Sequence, residues 1–396
     1  MTLPELIHAA ANARARGNFA LAESHYRSAL VIDPTLPAAL RGLIELRKQS
    51  TAELAERAME ALKAHAPQSA EASILSFAIA KCADDLEHYA VSWKWLTRAN
   101  NIQRRLFTYD VKTDLRTMRQ LEAAFIPAPR EEADWRTDSL TPIFIVGLPR
   151  CGSTLLERIV SAHPRIRSIG ESPAAPDAVR QLASWSEYLD AVSFDIDPVM
   201  LRVLYLSRMP PAGPQCGLDA WRWVDKQLLN FCYVPLLARA FQRAKFLHIR
   251  RHERAALYGI YRQRFPGTWQ FAYDLKEISA FYQGYRHLMR RWRESSGAEL
   301  LELEHETLVK NFEPTVRQVL DFIGVEFDPA CLTPHLNPLP VQTMSSVQVR
   351  EAVNTSGLEH WRHYEPWLPP AEKGDLDCGR KPELHQGIAL ACPKSA

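Results

Sequence analysis

Short, mostly hydrophobic runs alternate with amphipathic stretches after residue 142. Residues 143–146, 245–249 and 300–303 are runs of this kind. Such runs are typical of parallel strands that are buried on both faces. Between them, hydrophobic residues recur at helical spacing, as in Leu275, Ile278, Tyr282, Tyr285, Leu288, Met289 and Trp292. Strands that alternate with helices predict an α/β domain over residues 142–370, with a largely parallel sheet flanked by helices.

The first third of the chain has a helical pattern that contains a repeat. Gly17 ends an alanine-rich helix, and the unit continues with Phe19, Ala22, Tyr26, Ala29, Leu30, Asp33 and Pro34. These positions resemble the second half of a tetratricopeptide repeat, and weaker units follow over residues 35–66 and 69–104. One repeat cannot bury its apolar face alone, so the units must stack. We predict an all-α tetratricopeptide-like domain over residues 1–125, with a plain helical bundle as the alternative.

Two further segments lack a periodic pattern. The stretch 126–141 is rich in proline and charge and predicts a linker, and residues 371–396 predict a poorly ordered tail. The length of 396 residues leaves room for two domains.

Charge and cysteine content restrict the class of protein. The 48 basic and 46 acidic side chains give a net charge of +2, which argues against a nucleic-acid partner, so any anion site must come from local clustering. Apolar runs fall short of the roughly 18 residues that span a bilayer, and the N-terminus lacks the basic start of a signal peptide. The seven cysteines form neither a Cys-x-x-Cys pair nor a zinc pattern. We therefore predict a cytoplasmic protein without a membrane span or a metal.

A glycine-rich loop follows the first hydrophobic run. It reads Gly147-Leu148-Pro149-Arg150-Cys151-Gly152 and leads through Ser153-Thr154 into an amphipathic helix; we call residues 147–152 the glycine loop. A strand–loop–helix unit directs backbone N–H groups at one point and holds phosphate or sulfate. The spacing fits a P-loop, but Ser153 occupies the lysine position, which argues against nucleoside triphosphate hydrolysis. A P-loop nucleotide kinase is the alternative, and it would need that lysine and a magnesium-binding aspartate.

The loop sequence resembles that of a known family. Residues 149–154 are close to Pro-Arg-Ser-Gly-Thr-Thr, the 5′-phosphosulfate loop of sulfotransferases, and the arginine is similar to that of tyrosylprotein sulfotransferases and their bacterial relatives fused to tetratricopeptide repeats. Ala162-His163-Pro164 and Ile169-Gly170-Glu171 follow at the family's spacing. The resemblance covers roughly residues 140–368 and, more loosely, the repeats. It implies a P-loop-like sulfotransferase domain that uses 3′-phosphoadenosine 5′-phosphosulfate without a metal.

The resemblance also implies residues that bind the donor. Arg150, Cys151, Gly152, Ser153 and Thr154 would hold the 5′-phosphosulfate.

A second anchor lies in a basic stretch, residues 239–264, which has eight basic residues and one acidic residue. A solvated face is the usual explanation of such a run, but α/β sheets bind ligands where strands end. Arg251 matches the family's 3′-phosphate arginine, whereas His252 and Glu253 replace Asp-Pro and Gly259 replaces a serine. The missing hydroxyl removes a hydrogen bond worth about 1.5–3 kcal/mol.

Near the C-terminus, residues 345–350 and 361–364 resemble the family's segment over the adenosine and the 3′-phosphate. Arg350 is assigned to cofactor binding there, and Glu359 stands where the family has a glycine.

Three residues are the catalytic candidates. By resemblance, Glu171 accepts the proton of the acceptor, Lys226 approaches the transferring sulfuryl oxygens, and Arg150 holds the reacting group. The structural alternatives are a helix cap for Glu171 and a surface lysine at a helix N-terminus for Lys226. His163 and His248 are weaker candidates for the base, because one precedes a proline in a turn and the other lies within an apolar strand.

The sequence therefore predicts a sulfotransferase that acts on a hydroxyl, either a tyrosine or a small natural product. The alternative is a catalytically impaired, sulfotransferase-like binding or scaffold protein, which Cys151, Gly259 and Glu359 favour. The repeats could present a peptide or protein acceptor, or set the geometry of a homodimer.

Overall fold

The computed structural model describes residues 1–125, 140–182, 196–209, 222–265, 267, 269–341, 343 and 345–370. Most of the predicted linker, residues 126–139, and the predicted tail, residues 371–396, lie outside the described residues.

Residues 1–125, the helical region, contain seven α-helices. They are α1 (Leu3–Ala15), α2 (Phe19–Ile32), α3 (Pro37–Glu45), α4 (Glu53–Leu62), α5 (Ala70–Asp85), α6 (Tyr89–Arg105) and α7 (Val111–Ala124). Helices α2 and α3 approach closely, since a Cβ added at Gly42 would lie 2.3 Å from the Tyr26 ring. The region is helix-rich, as predicted, and its assignment as tetratricopeptide repeats stays a prediction.

The described residues from 140 to 370, the α/β region, contain a five-stranded parallel sheet in the order β2-β3-β1-β4-β5. The strands are β1 (Thr141–Gly147), β2 (Ile166–Ser168), β3 (Arg222–Asp225), β4 (Lys245–Arg250) and β5 (Glu299–Glu304). Strands β1, β4 and β5 confirm the three strands predicted from hydrophobic runs.

Helices flank this sheet. They are α8 (Ser153–Ser161), α9 (Ala174–Leu182), α10 (Pro198–Ser207), α11 (Val234–Ala240), α12 (Glu253–Tyr261), α13 (Leu275–Ser295), α14 (His305–Lys310) and α15 (Phe312–Ile323). Short 3-10 helices span Leu228–Tyr233, Gln270–Tyr273, Pro329–Leu332, Pro334–Leu336, Gln348–Arg350 and His360–Trp367. Helix α13 confirms the helix predicted from residues 275–292.

Both faces of the sheet are buried, which explains why its central strand, β1, is buried at every position and almost entirely apolar. Successive side chains of a strand point to opposite faces. Ile143 and Ile145 therefore pack with α8 and α15, whereas Phe144 and Val146 pack into the core on the other side.

That second core extends into the helical region. Phe77 of α5, Leu96 of α6 and Met118 of α7 belong to the same buried cluster as Phe144. Helices α7 and α13 lie in close contact, because a Cβ added at Gly284 would be 2.6 Å from the Leu115 side chain. The helical region therefore packs directly on the α/β region, and a cavity lies along their boundary.

Candidate functional site

The glycine loop connects the end of β1 to the start of α8 through unusual backbone conformations. Gly147 lies so close to β4 that an added Cβ would be 2.5 Å from the Ile249 carbonyl oxygen. Gly152 has φ +98° and Arg150 has φ +67°. A residue other than glycine adopts this left-handed conformation at a cost, so the surroundings of Arg150 must hold it there.

The Arg150 guanidinium is held by neutral groups. Its Nη1 donates to Ser345 Oγ at 2.5 Å and its Nη2 to Gln348 Oε1 at 3.0 Å. Burial, together with the positive charges of Arg262 and Arg251, lowers the pKa of Arg150 to about 10. A cation in these surroundings is stabilised by an incoming anion.

Cys151, Ser153 and Thr154 complete the start of α8. Burial raises the pKa of the Cys151 thiol to about 11, and its side chain is buried in the core beneath the loop. The Thr154 hydroxyl lies 3.2 Å from that of Thr343. We infer that Cys151 can contribute its backbone N–H to an anion, and that its thiol packs against neighbouring side chains.

Lys226 follows β3 and is only 1% exposed. Its Nζ donates to Glu171 Oε1 at 2.6 Å and lies 3.7 Å from Glu157 Oε2. The alternative of a surface lysine is therefore wrong. The Glu171 side chain is 53% exposed and lines the cavity, so the ion pair joins a buried ammonium to a carboxylate that a ligand can reach.

Arg251 follows β4 and has few strong partners. Its Nη1 and Nη2 donate to the Arg150 and Gly357 carbonyl oxygens at 3.3 Å each. Its Nε lies 3.8 Å from Glu306 and has no hydrogen-bond partner among the described residues. A buried guanidinium with a spare donor suits an anionic ligand.

His305 lies against the glycine loop at the start of α14. A Cβ added at Gly152 would be 2.4 Å from His305 Nδ1, an atom that lacks a hydrogen-bond partner within the described residues. Burial, together with the positive charges of Arg251 and Arg150, lowers the pKa of His305 to about 3. The imidazole is therefore neutral near pH 7.

Most of these residues line one cavity of about 830 Å³ between the two regions, whereas Cys151 and Lys226 lie behind its lining. Its lining includes Arg150, Glu171, Arg251, Gly259 and His305, together with residues of the helical region such as Asp84 and Tyr89. The structure thus brings together most of the site residues predicted from the sequence.

Arg350 is not brought to this cavity, contrary to its assignment from the sequence. Its Nη2 donates to the Ala15 carbonyl oxygen at 2.7 Å, and its guanidinium packs on Gly17. The neighbouring Gln348 and Val349 line the cavity instead.

The two histidines have structural contacts. His163 Nε2 lies 3.1 Å from the Glu326 carbonyl oxygen, and buried His248 contacts the Tyr285 hydroxyl.

Several cavity residues were missed by the sequence analysis. Ser345 and Gln348 lie in the segment 345–350 that the resemblance pointed to, but it named Arg350 rather than either of them. Asp84, Arg262 and His305 reach the cavity only through the tertiary fold.

Within the described residues, His, Cys, Asp and Glu side chains form no group that could hold a metal ion. Across the same ranges, every helix is too short or too polar to cross a membrane.

Comparison with known proteins agrees with the geometry. Residues 142–329 match the model of the sulfotransferase family. A protein-tyrosine sulfotransferase of Drosophila melanogaster is 25% identical over 234 residues, which cover 55% of this chain and 46% of that protein. The chain therefore has distant tyrosylprotein sulfotransferase homologues.

An uncharacterized protein of Aquifex aeolicus is 28% identical over 316 residues, which cover 77% of this chain. The matched part spans only 41% of that protein's length. Among solved structures, the sulfotransferase domain of the Synechococcus PCC 7002 olefin synthase aligns with a TM-score of 0.40 and 21% identity, over 59% of this chain and 91% of that one.

Proposed function

We propose that this protein transfers a sulfuryl group from 3′-phosphoadenosine 5′-phosphosulfate to a hydroxyl acceptor in the cytoplasm. The observation that carries the proposal is the meeting of Arg150, the start of α8 and the Lys226–Glu171 ion pair at one cavity in a region that matches the sulfotransferase family model. Anion-binding groups and a carboxylate that can accept a proton are the two requirements of this transfer.

The residues present fit a donor with two anionic groups. The glycine loop and the N-terminus of α8 offer backbone N–H groups, and the Arg150 guanidinium donates to the neutral side chains of Ser345 and Gln348. Arg251 has a spare buried donor on the other side of Gly259. We assign the first group to the 5′-phosphosulfate and Arg251 to the 3′-phosphate. When bound, the donor supplies the sulfuryl group.

The chain's own residues would position the acceptor and move its proton. Glu171 is exposed to the cavity and accepts the hydroxyl proton as the general base. Lys226 is fixed by Glu171 and Glu157 and can hold negative charge on the oxygens of the reacting group. Arg350 is left out of this assignment, since it contacts the helical region.

Tyrosine is the first acceptor to test, because the Drosophila relative is described as a protein-tyrosine sulfotransferase. A small phenol represents the alternative class of acceptor. The helical region forms part of the cavity wall, so it could help to present a peptide.

Titration calorimetry with 3′-phosphoadenosine 5′-phosphate, the desulfated product, tests the donor site. We expect micromolar binding and none for ATP, and we expect Arg150→Ala to abolish it. Glu171→Gln should keep this affinity and reduce turnover of a tyrosine peptide or phenol by about 100-fold. Wild-type protein that fails to bind the product would refute the proposed donor, whereas binding without transfer would favour a binding protein.

A further inference from the structure

Gly259 lines the cavity beside two arginines. It lies on α12, and a Cβ added there would be 3.3 Å from Arg150 Cβ and 3.8 Å from Arg251 Nη1. Helix α12 therefore offers no side chain of its own at this point. An anion between Arg150 and Arg251 can approach the helix backbone closely.

A third arginine reaches the same space. Arg262 is the residue that ends α12, three positions after Gly259, so the two share one side of the helix. It lines the cavity together with Arg150 and Arg251. The three guanidinium groups are close enough that the charge of Arg262 lowers the pKa of both others, after the larger effect of burial.

The helical region fixes Arg262 in this position. Asp84, near the end of α5, is 7% exposed and accepts a hydrogen bond from Arg262 Nη2 at 3.0 Å. The same carboxylate accepts from the Tyr364 hydroxyl at 2.5 Å and contacts His360 Nε2 at 2.8 Å. A guanidinium has five N–H donors, so one bond to Asp84 orients it and leaves others for a ligand.

The three arginines differ in their partners. Asp84 pairs with Arg262 and Glu306 lies 3.8 Å from Arg251, whereas Arg150 donates to the neutral side chains of Ser345 and Gln348. Like charges held close together at a partly buried site are typical of anion binding.

We propose that Arg262, oriented by Asp84 of the helical region, binds the 3′-phosphate of the donor beside Arg251. This inference rests on the proposed donor and adds a residue that determines its specificity. Helix α12 has no hydroxyl at Gly259, and Arg262 supplies donors that a serine there would otherwise provide. The helical region is thereby part of the donor site.

The test compares two nucleotides that differ only in the 3′-phosphate. Adenosine 5′-monophosphate and 3′-phosphoadenosine 5′-phosphate are titrated into the full chain by calorimetry. We expect Arg262→Gln to weaken binding of the bisphosphate about tenfold and to leave binding of the monophosphate unchanged. Arg262→Lys keeps the charge and loses the planar fork, so its ratio of affinities should lie between those of the wild type and Arg262→Gln.

Arg254→Gln is the matched control. Arg254 lies on the same helix and also pairs with a carboxylate, that of Glu365, but it does not line the cavity. Arg254→Gln should keep the wild-type ratio of affinities for the bisphosphate and the monophosphate. A wild-type ratio in both Arg262 variants would overturn the inference while leaving the proposed donor intact. Failure of the wild type to bind the bisphosphate would overturn both proposals. Circular dichroism checks that each variant is folded. If Arg262→Gln does not fold, the affinity ratio of Arg262→Lys tests the inference alone.

Discussion

Replacing Asp84 by asparagine should destabilise the protein, because one carboxylate joins three segments. Arg262 of the α/β region and His360 and Tyr364 near the C-terminus all contact it. Removing one partner of a buried ion pair costs about 3–5 kcal/mol. The Arg262 and His360 side chains are 28% and 29% exposed, and asparagine still accepts a hydrogen bond, so we expect a loss of about 2–3 kcal/mol.

Equilibrium urea unfolding, followed by circular dichroism and tryptophan fluorescence, measures this loss. Asp85→Asn is the control, because Asp85 pairs with Lys81 and accepts a hydrogen bond from the Gln49 N–H, and both partners belong to the helical region. It should cost about 1 kcal/mol. In Asp84→Asn, the unfolding transitions followed by circular dichroism and by fluorescence should no longer coincide, because the two regions lose a shared contact. Equal stability of Asp84→Asn and wild type at pH 7 would refute the reasoning.

The effect should depend on pH. Burial alone would raise the pKa of Asp84, but the charge of Arg262 and the hydrogen bond from His360 outweigh it and hold the pKa well below the usual range. A carboxyl with a depressed folded pKa stabilises the protein above its unfolded pKa of about 3.9, and that contribution is lost as the pH falls. The difference between wild type and Asp84→Asn should therefore be constant at neutral pH and shrink below about pH 4.

Three further changes test the glycine loop and its surroundings. Gly152→Ala should weaken product binding at least tenfold, because its Cβ would lie 2.4 Å from His305 Nδ1. Gly297→Ala is its control, since Gly297 also has a positive φ but has open space around it, and it should leave binding unchanged in the same calorimetric titration. The Cys151 thiol, with its pKa raised to about 11 by burial, should resist iodoacetamide at pH 8 until urea unfolds the protein, and peptide mapping that finds it labelled in the native state would contradict this. Gly259→Ser adds a hydroxyl near the Arg251 guanidinium and should tighten product binding about tenfold, which corresponds to a hydrogen bond of about 1.5 kcal/mol. Binding no tighter than that of Gly259→Ala would argue against this contact.

The parts of the site that are adjacent in the chain could be predicted from the sequence. Strand β1, the glycine loop and α8 are adjacent in the chain, so their hydrophobic pattern and glycine positions indicate an anion site without knowledge of the rest of the fold. Arg150 follows from the same reasoning. The pairing of Lys226 with Glu171 joins two strand ends, and the resemblance named both residues without giving their 2.6 Å contact.

Contacts between the two regions could not be predicted from the sequence. Asp84 lies in a helix whose pattern gives no reason to expect a buried carboxylate, and only the packing of α5 against α12 explains it. For Arg350 the error is the reverse, because a residue predicted to bind the donor does not reach the cavity. It is a basic residue in the expected segment, but the turn directs Ser345 and Gln348 to Arg150 and directs Arg350 to the end of α1.

The carbonyl oxygen of Ala15 accepts bonds from both Arg350 Nη2 and the Val341 N–H, at 2.7 and 2.8 Å. Arg14 Nε adds a bond to Ser346 Oγ at 3.1 Å. The end of the first helix thus anchors the same short segment that holds Arg150. For protein engineering, the helical region is not an interchangeable module. A chimera with another N-terminal region would need to recreate this anchor, and the α/β region expressed alone would leave the segment around Ser345 without its support.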